Sequence, residues 1–216
     1  MKVAVISSAL GGFDTMPDQT AQTIEADYYY FNDDNLPVRN SMTPRLQAKI
    51  PKMFGWQLAP DYDYYVWLDG NMAFNDSEAL AYLMEEIKGN DMVVLKHHRR
   101  NTIRWEARYL ERALNEQSKY MVNRYDNEFW KSQLRVIQED KSYIDDRLFI
   151  GGIFMYRNTK AVRDALTEWW YHVSRYCIQD QISMPYALRK LKIKVLDHDH
   201  TKWDYIKKID HNKRDE

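Results

Sequence analysis

The stretch Tyr64-Tyr65-Val66-Trp67-Leu68-Asp69-Gly70-Asn71 is an apolar and aromatic run that stops on an acid, a glycine and an amide. Continuous runs of this kind mark strands buried on both faces of an α/β sheet, and open sheets bind ligands at the carboxyl ends of their strands. Asp69 and Asn71 stand two residues apart around Gly70, so a tight turn can direct both side chains at one hard divalent cation, Mg²⁺ or Mn²⁺. The same turn serves equally as a strand terminator in which Asp and Asn only cap the backbone.

Working outward, Lys2 to Leu10 reads as a strand followed by the close-approach loop Gly11-Gly12-Phe13-Asp14, and Asp27 to Phe31 as a strand ended by Asn32-Asp33-Asp34-Asn35,. Met92 to Leu95 is a short buried strand that runs into Lys96-His97-His98-Arg99-Arg100. Leu148 to Tyr156 carries the pair Gly151-Gly152, and Leu191 to Leu196 ends on Asp197-His198-Asp199-His200,. Between them, Arg45 to Trp56 reads as a helix despite Pro51, with Arg45, Lys49 and Lys52 on one side. Such a basic side is more often a solvated face than a site.

Asn75-Asp76-Ser77 supplies capping residues for a helix with Leu80, Leu83 and Ile87 on its apolar face, closed by Gly89. Asn101 to Gln138 is helical with a break near Tyr120; it is too long for a simple crossover and is expected to cover the site. Val162, Leu166, Trp169, Val173 and Tyr176 form a core stripe, and Asp180 to Lys190 a shorter helix. The charged tail from Lys207 to Glu216 is expected to fray.

The 216 residues suffice for one domain, taken as 1–216 with a helical insertion at about 101–138,. Lys plus Arg number 31 against 32 Asp plus Glu, so a net charge of −1 supplies no global field for nucleic acid or an anionic membrane,. A nucleic acid acceptor is therefore unsupported. The single cysteine, Cys177, excludes an intramolecular disulfide framework and a cysteine zinc cluster, which points to a reducing compartment,. The opening Met1-Lys2-Val3-Ala4-Val5-Ile6 is too short an apolar run for a signal peptide or membrane span, so the expected location is cytoplasmic. No P-loop or dinucleotide glycine motif is present. Asp69 does not open an Asp-x-Asp-Gly-Thr phosphotransferase motif, and Val94 stands where one class of nuclease needs an acid.

In a mostly parallel α/β sheet the polar strand ends converge: Ser7-Ser8, Asp33-Asp34, Asp69 with Asn71, Lys96 to Arg100, and Asp197 to His200. A metal beside a group of cations suits a diphosphate, because the metal bridges two phosphate oxygens while the cations neutralise the remaining charge. His198 or His200 would complete the coordination of Mn²⁺, although a lone histidine is more often a hydrogen-bonded surface group.

These features together resemble a glycosyltransferase of the GT-A fold, a Rossmann-like α/β domain with a mostly parallel central sheet and flanking helices. More specifically, the chain is similar to the glycosyltransferase-like family of the plant mucilage-related proteins and their microbial relatives. The likeness rests on three blocks. The first runs from Lys49-Ile50-Pro51-Lys52 to Tyr65-Val66-Trp67-Leu68-Asp69-Gly70-Asn71. The second is Lys96 to Ala107, a His-x-x-Arg segment with Glu106-Ala107 six residues on. The third is Trp169-Trp170 followed by Asp180-Gln181-Ile182-Ser183.

The resemblance implies transfer of a hexose-type sugar from a nucleotide sugar, a UDP-sugar above all, to the hydroxyl of a glycan or other acceptor. Asp69 and Asn71 would hold Mn²⁺ or Mg²⁺. On physical grounds the Ser7-Ser8 backbone and Asp33 would meet the nucleoside, while Arg45, Lys49, Lys52, His97 and Arg100 would steady the diphosphate. Glu106 would orient Arg100 or a sugar hydroxyl. Asp180 and Gln181, at a helix start, would face the reacting carbon or the acceptor, with Asp180 as base or electrostatic stabiliser, a role that a simple N-cap would mimic. Two alternatives stand beside this reading: a non-catalytic carbohydrate-binding module on the same fold, and a metal-dependent phosphoryl transferase.

Overall fold

In the strands β1 (Val3–Ser8), β3 (Tyr64–Asp69), β5 (Met92–Lys96) and β6 (Phe149–Arg157), successive side chains alternate between two faces of one sheet,. Ala4, Ile6, Tyr65, Trp67, Val94, Phe154 and Tyr156 enter one core, and Val3, Val5, Val66, Leu68, Val93, Ile153 and Met155 enter the other. Both faces are covered, which is why these segments read as unbroken apolar runs. The computed structural model describes residues 1–36, 41–126 and 128–211.

The sheet is completed by β2 (Asp27–Phe31) and β7 (Ile193–Leu196), in the order β2-β1-β3-β6-β5-β7. β1 is parallel to β2 and β3, and β5 to β7, whereas β6 runs antiparallel to both its neighbours. The sheet is thus mixed α/β and mostly parallel, as expected for a GT-A domain.

On the first face lie α2 (Lys49–Leu58) and α7 (Lys160–Arg175), whose Val162, Leu166, Trp169 and Val173 stripe is fully buried. The second face is covered by α3 (Ala79–Glu86) through Leu80 and Leu83. A third apolar cluster forms where α4 (Ile103–Asn115), α5 (Lys119–Tyr125) and α6 (Trp130–Glu139) stand between β5 and β6, with Ile103, Leu110 and Ile137 meeting Leu148 and Cys177. Thr102 starts α4 by accepting the Trp105 amide at 3.0 Å, and Gln117 breaks the segment with φ of 54°,. Among the described residues no helix is long and apolar enough to cross a membrane.

Three local expectations need correction. The helix expected from Arg45 is two: α1 (Pro44–Gln47) and α2, which pivot at Ala48. Pro51 consequently falls in the first turn of α2, where its missing amide would have had no partner. Asp180 to Lys190 is a 3₁₀ turn, Asp180–Ile182, followed by the single-turn α8 (Met184–Ala187). The tail does not fray from Lys207, since β8 (Ile206–Lys208) pairs antiparallel with β4 (Met72–Phe74); residues 212–216 lie outside the described residues. Neither strand was foreseen, because three residues are too few to show a period.

The Asp69 turn is held against β1 with no space to spare. A Cβ on Gly70 would lie 2.7 Å from the Ser8 carbonyl oxygen and 2.9 Å from the Ala9 Cβ. Gly70→Ala is therefore expected to destabilise the fold by about 1–3 kcal/mol through overpacking. Urea unfolding that shows an unchanged midpoint would contradict this packing.

Candidate active site

The carboxyl ends of β1 and β3 place Ser8 and Asp69 side by side at one edge of the sheet. Because β6 runs the other way, its amino-terminal half brings Gly151 and Gly152 to that same edge. Lys49 and Lys52 reach over from α2, and each donates to Asp180 Oδ2 at 2.6 Å. Lys52 Nζ also lies 3.4 Å from Asp69 Oδ1, which accepts the Trp67 indole N–H at 2.8 Å. Gly151 makes room for this group: a Cβ there would stand 3.2 Å from Asp180 Oδ1 and 3.3 Å from Lys52 Nζ.

The Lys52 side chain is only 1% exposed, and its ammonium lies over the rings of Trp67 and Trp169 at 5.5 and 5.6 Å,. Burial alone would raise the Asp180 carboxyl, but Lys49 and Lys52 outweigh it and hold that carboxyl far below the carboxylate range,. Asp69 follows the same pattern: burial pushes it up, and Lys52 and Lys49 bring it net below its ordinary value. Burial also acts against both ammonium groups. At Lys52 the two acids overcome it, while at Lys49 it prevails and the value falls. Asp180 is thus permanently ionised near neutral pH and a weak base.

A second network lines the opposite wall. Arg100 pairs with buried Glu106, whose other oxygen accepts from Gln179 Nε2 at 2.9 Å. Gln179 also donates to Gln181 Oε1 at 3.2 Å and accepts from Tyr125 OH at 2.6 Å. His97 Nδ1 accepts the amides of Arg99 and Arg100, and burial with the Arg100 charge lowers this imidazole to about 4.

Lys49, Asp69, His97, Arg100, Glu106, Asp180, Gln181 and His200 all line one cavity of about 310 Å³. A neighbouring recess of about 160 Å³ is lined by Ser8, Phe13, Arg45 and Gly70, and shares Lys49 and Asp69 with it. Lys52 stands directly behind the wall. Ser8 Oγ is committed to the Ala48 carbonyl, 2.9 Å away, and Ser7 Oγ is buried without a partner. Arg45 does not join the lysines; it lies over Phe13 at 5.4 Å and donates to the Asn123 carbonyl. Asp33 accepts the Gly11 amide at 3.0 Å and lines neither space.

The expected metal ligands divide. Asp69 Oδ2 makes no hydrogen bond among the described residues, and Asn71 Oδ1 and His200 Nδ1 are buried without hydrogen-bond partners, with His200 Nδ1 lying 3.8 Å from Asp199 Oδ1. His200 is kept neutral, lowered to about 4 by burial and the Lys208 charge, and so is free to ligate. Carboxylate, amide and imidazole donors fit a hard or borderline divalent cation. Asn71, however, also donates its amide to the Ile209 carbonyl at 2.7 Å, tying the strand end to the tail. His198 does not line the cavity, because its ring stacks on Trp203 with centroids 5.0 Å apart.

Several cavity residues were missed by sequence reasoning. Trp67 could have been found, since it precedes Asp69 by two and shares its face of the strand. Arg124, Tyr125 and Gln179 had no signal beyond an expected covering helix and a neighbour of Asp180. His211, which pairs with Asp14 at 2.7 Å, lay in a segment expected to be loose.

Two stability outcomes follow from these charges. Asp180→Asn leaves buried Lys52 with a weaker partner and is expected to cost about 3–5 kcal/mol in chemical denaturation at pH 7. A loss below 1 kcal/mol would show that the pair is dispensable. The pH profile has two stages. His97 is lowered to about 4 in the fold against about 6.5 unfolded,. The unfolded chain therefore binds the extra proton between these values, and stability declines as pH falls from about 6.5 to 4. Asp180 contributes stability above its unfolded value near 3.9, lost only as pH falls further. A profile flat from pH 7 to 4 would contradict the first stage.

The chain's relatives can be set beside this geometry. Residues 34–208 match the family model "TOD1/MUCI70, glycosyltransferase-like domain". No curated protein matches the sequence. Among solved structures, the apo form of WbbM, a bifunctional glycosyltransferase, is similar with a TM-score of 0.52 at 12% identity. That likeness covers 90% of this chain and 38% of the other, so this chain spans well under half of WbbM. A197 from STIV is similar at a TM-score of 0.40 and 10% identity, over 91% of this chain and 82% of that one. The family model spans most of the sequence and contains Lys49, Lys52, Asp69, Glu106 and Asp180: the chain belongs to the TOD1/MUCI70 family of glycosyltransferase-like domains.

Proposed function

We propose that the protein is a nucleotide-sugar-dependent glycosyltransferase that moves a hexose-type sugar from a UDP-sugar to an acceptor hydroxyl. The observation that carries this reading is the buried Lys49–Asp180–Lys52 group beside Asp69 at the carboxyl edge of the sheet, opening into a cavity whose walls also carry Arg100, Arg124 and Lys208. Such a wall neutralises a diphosphate. Asp69, Asn71 and His200 would hold Mn²⁺ or Mg²⁺, which when bound supplies Lewis acidity to the leaving diphosphate.

The chain's own residues divide the remaining work. Lys49, only 22% exposed, is the ammonium of the pair nearest the cavity and faces the leaving-group charge,. Asp180 is too weakly basic to take a proton from an acceptor hydroxyl at neutral pH. It acts by keeping a fixed negative charge where positive charge develops on the anomeric carbon. Gln181, held by Gln179 and by the Phe149 carbonyl at 3.4 Å, orients a sugar hydroxyl. Arg100, oriented by Glu106, serves the distal phosphate.

The second reading is a non-catalytic carbohydrate-binding module, in which the Asn71 side chain serves only to tie the strand end to the Ile209 carbonyl through its amide N–H. A thermal-shift series with UDP, with and without Mn²⁺, separates the two. Wild type is expected to gain about 2.7 kcal/mol at a hundredfold excess over Kd, and Asp69→Ala to lose that gain. Unchanged nucleotide binding in Asp69→Ala, or none in wild type, would defeat the transferase reading. Release of inorganic phosphate in place of free sugar would transfer it to phosphoryl chemistry.

A further inference from the structure

Beyond the donor cavity, a groove of about 730 Å³ runs along the outer side of α4. Arg104, Arg108 and Arg112 recur every fourth residue, which stacks them on one face at steps of about 6 Å along the helix axis,. Arg99 and Arg100 extend the row beyond the helix start. Against these five guanidinium groups the lining holds one acid, Asp145. In a chain with 31 basic and 32 acidic residues this is a local concentration of charge, not a share of a basic surface.

Apart from Arg100, whose charge is taken by buried Glu106, the arginines are weakly committed. Asp145 accepts the backbone amides of Ile103 and Arg104 at 2.7 and 3.0 Å, so its charge is already used to cap the helix,. Its distance to Arg104 Nε is 3.8 Å, and Arg112 likewise stands 3.8 Å from Glu116, with both arginine side chains well exposed. Arg108 makes no ion pair among the described residues. Trp105, 51% exposed, and Tyr109 supply ring faces between them, with Arg100 seated 4.1 Å above the Tyr109 ring.

The groove adjoins the donor cavity, with Arg100 and Tyr109 forming the wall between them. From this juxtaposition we propose that the α4 arginine groove is the acceptor subsite, and that the acceptor is an anionic oligosaccharide bearing carboxylate or similar groups along its length. This deepens the transferase reading and rests on it. The row of guanidinium groups suits a ligand carrying repeated negative charges, and the exposed Trp105 face suits a pyranose ring. Arginine forks bind carboxylates in bidentate fashion, so orientation comes with affinity. Seated there, the end of the chain would present its hydroxyl past Tyr109 toward Asp180 and Gln181.

The test measures binding of hexamannuronate, maltohexaose and a decauridylate by calorimetry, at low and at high salt, to wild type, Arg108→Ala and Arg104→Ala/Arg108→Ala. Hexamannuronate is expected to bind at least tenfold more tightly than neutral maltohexaose and to weaken with salt. The double variant should lose about tenfold in affinity, while its melting temperature and UDP response stay as in wild type. Equal binding of the neutral and the charged hexasaccharide, or no loss in the double variant, would overturn the proposal. Preference for decauridylate would reassign the groove to nucleic acid. The UDP arm keeps the two readings apart: if UDP binds and hexamannuronate does not, only the acceptor assignment fails; if UDP fails to bind, the transferase reading fails.

Discussion

A buried ammonium is the constraint around which this molecule is arranged. Removing the Lys52 charge from water costs several kcal/mol, and the fold offsets that cost with the Asp180 and Asp69 carboxylates and two indole faces,. Lys52 itself comes from α2, and its partners arrive from three other elements: Trp67 and Asp69 from β3, Trp169 from the middle of α7, and Asp180 from the 3₁₀ turn after it. The Trp169 indole also donates to the Asp180 carbonyl at 3.0 Å, which fixes the turn against the helix. A buried ion pair adds little net stability over an apolar replacement of the same shape. Its persistence here is better understood as positioning, because it sets an ionised acid and a cation at the mouth of a cavity.

The reversal of β6 is the second determinant. In a fully parallel sheet, every strand would deliver its carboxyl end to the site edge, each followed by a helix. The antiparallel strand instead delivers its beginning, and with it Gly151 and Gly152, whose lack of side chains lets Asp180, Lys52 and Asp69 approach the backbone. The register shift between Val94 and Leu95 lies in the same region. Beyond it the pairing resumes as Leu95 with Ile150 and Lys96 with Phe149, so β5 stays anchored to the start of β6 up to the His97 to Arg100 segment.

Much of the architecture was legible from local pattern. The strands at Val3, Tyr64, Met92 and Phe149 declared themselves through unbroken apolar runs, and the Trp169 stripe through its helical period. The candidate site was legible in part. Asp69, Lys49, Lys52, Glu106 and Asp180 do converge, since strand ends and the helices beside them must meet at one sheet edge. Local pattern could not show that the Asn71 amide N–H would be tied to Ile209 while its oxygen stays without a hydrogen bond, nor that His198 would stack on Trp203, because these contacts are made by a residue more than a hundred positions away or within a short loop without period.

The sequence by itself determined the alternation of strand and helix, the buried character of the central sheet, and the placing of an acid at the end of its central strand, because these follow from side-chain periodicity and backbone propensity. Only the tertiary structure decided that Lys49 and Lys52 share one carboxylate, that Asp180 is held well below the ordinary carboxylate range, and that five arginines line a groove adjoining the same cavity. Those properties depend on distances between charges far apart in the chain and on the water excluded between them. Neither quantity is written in any local stretch of residues.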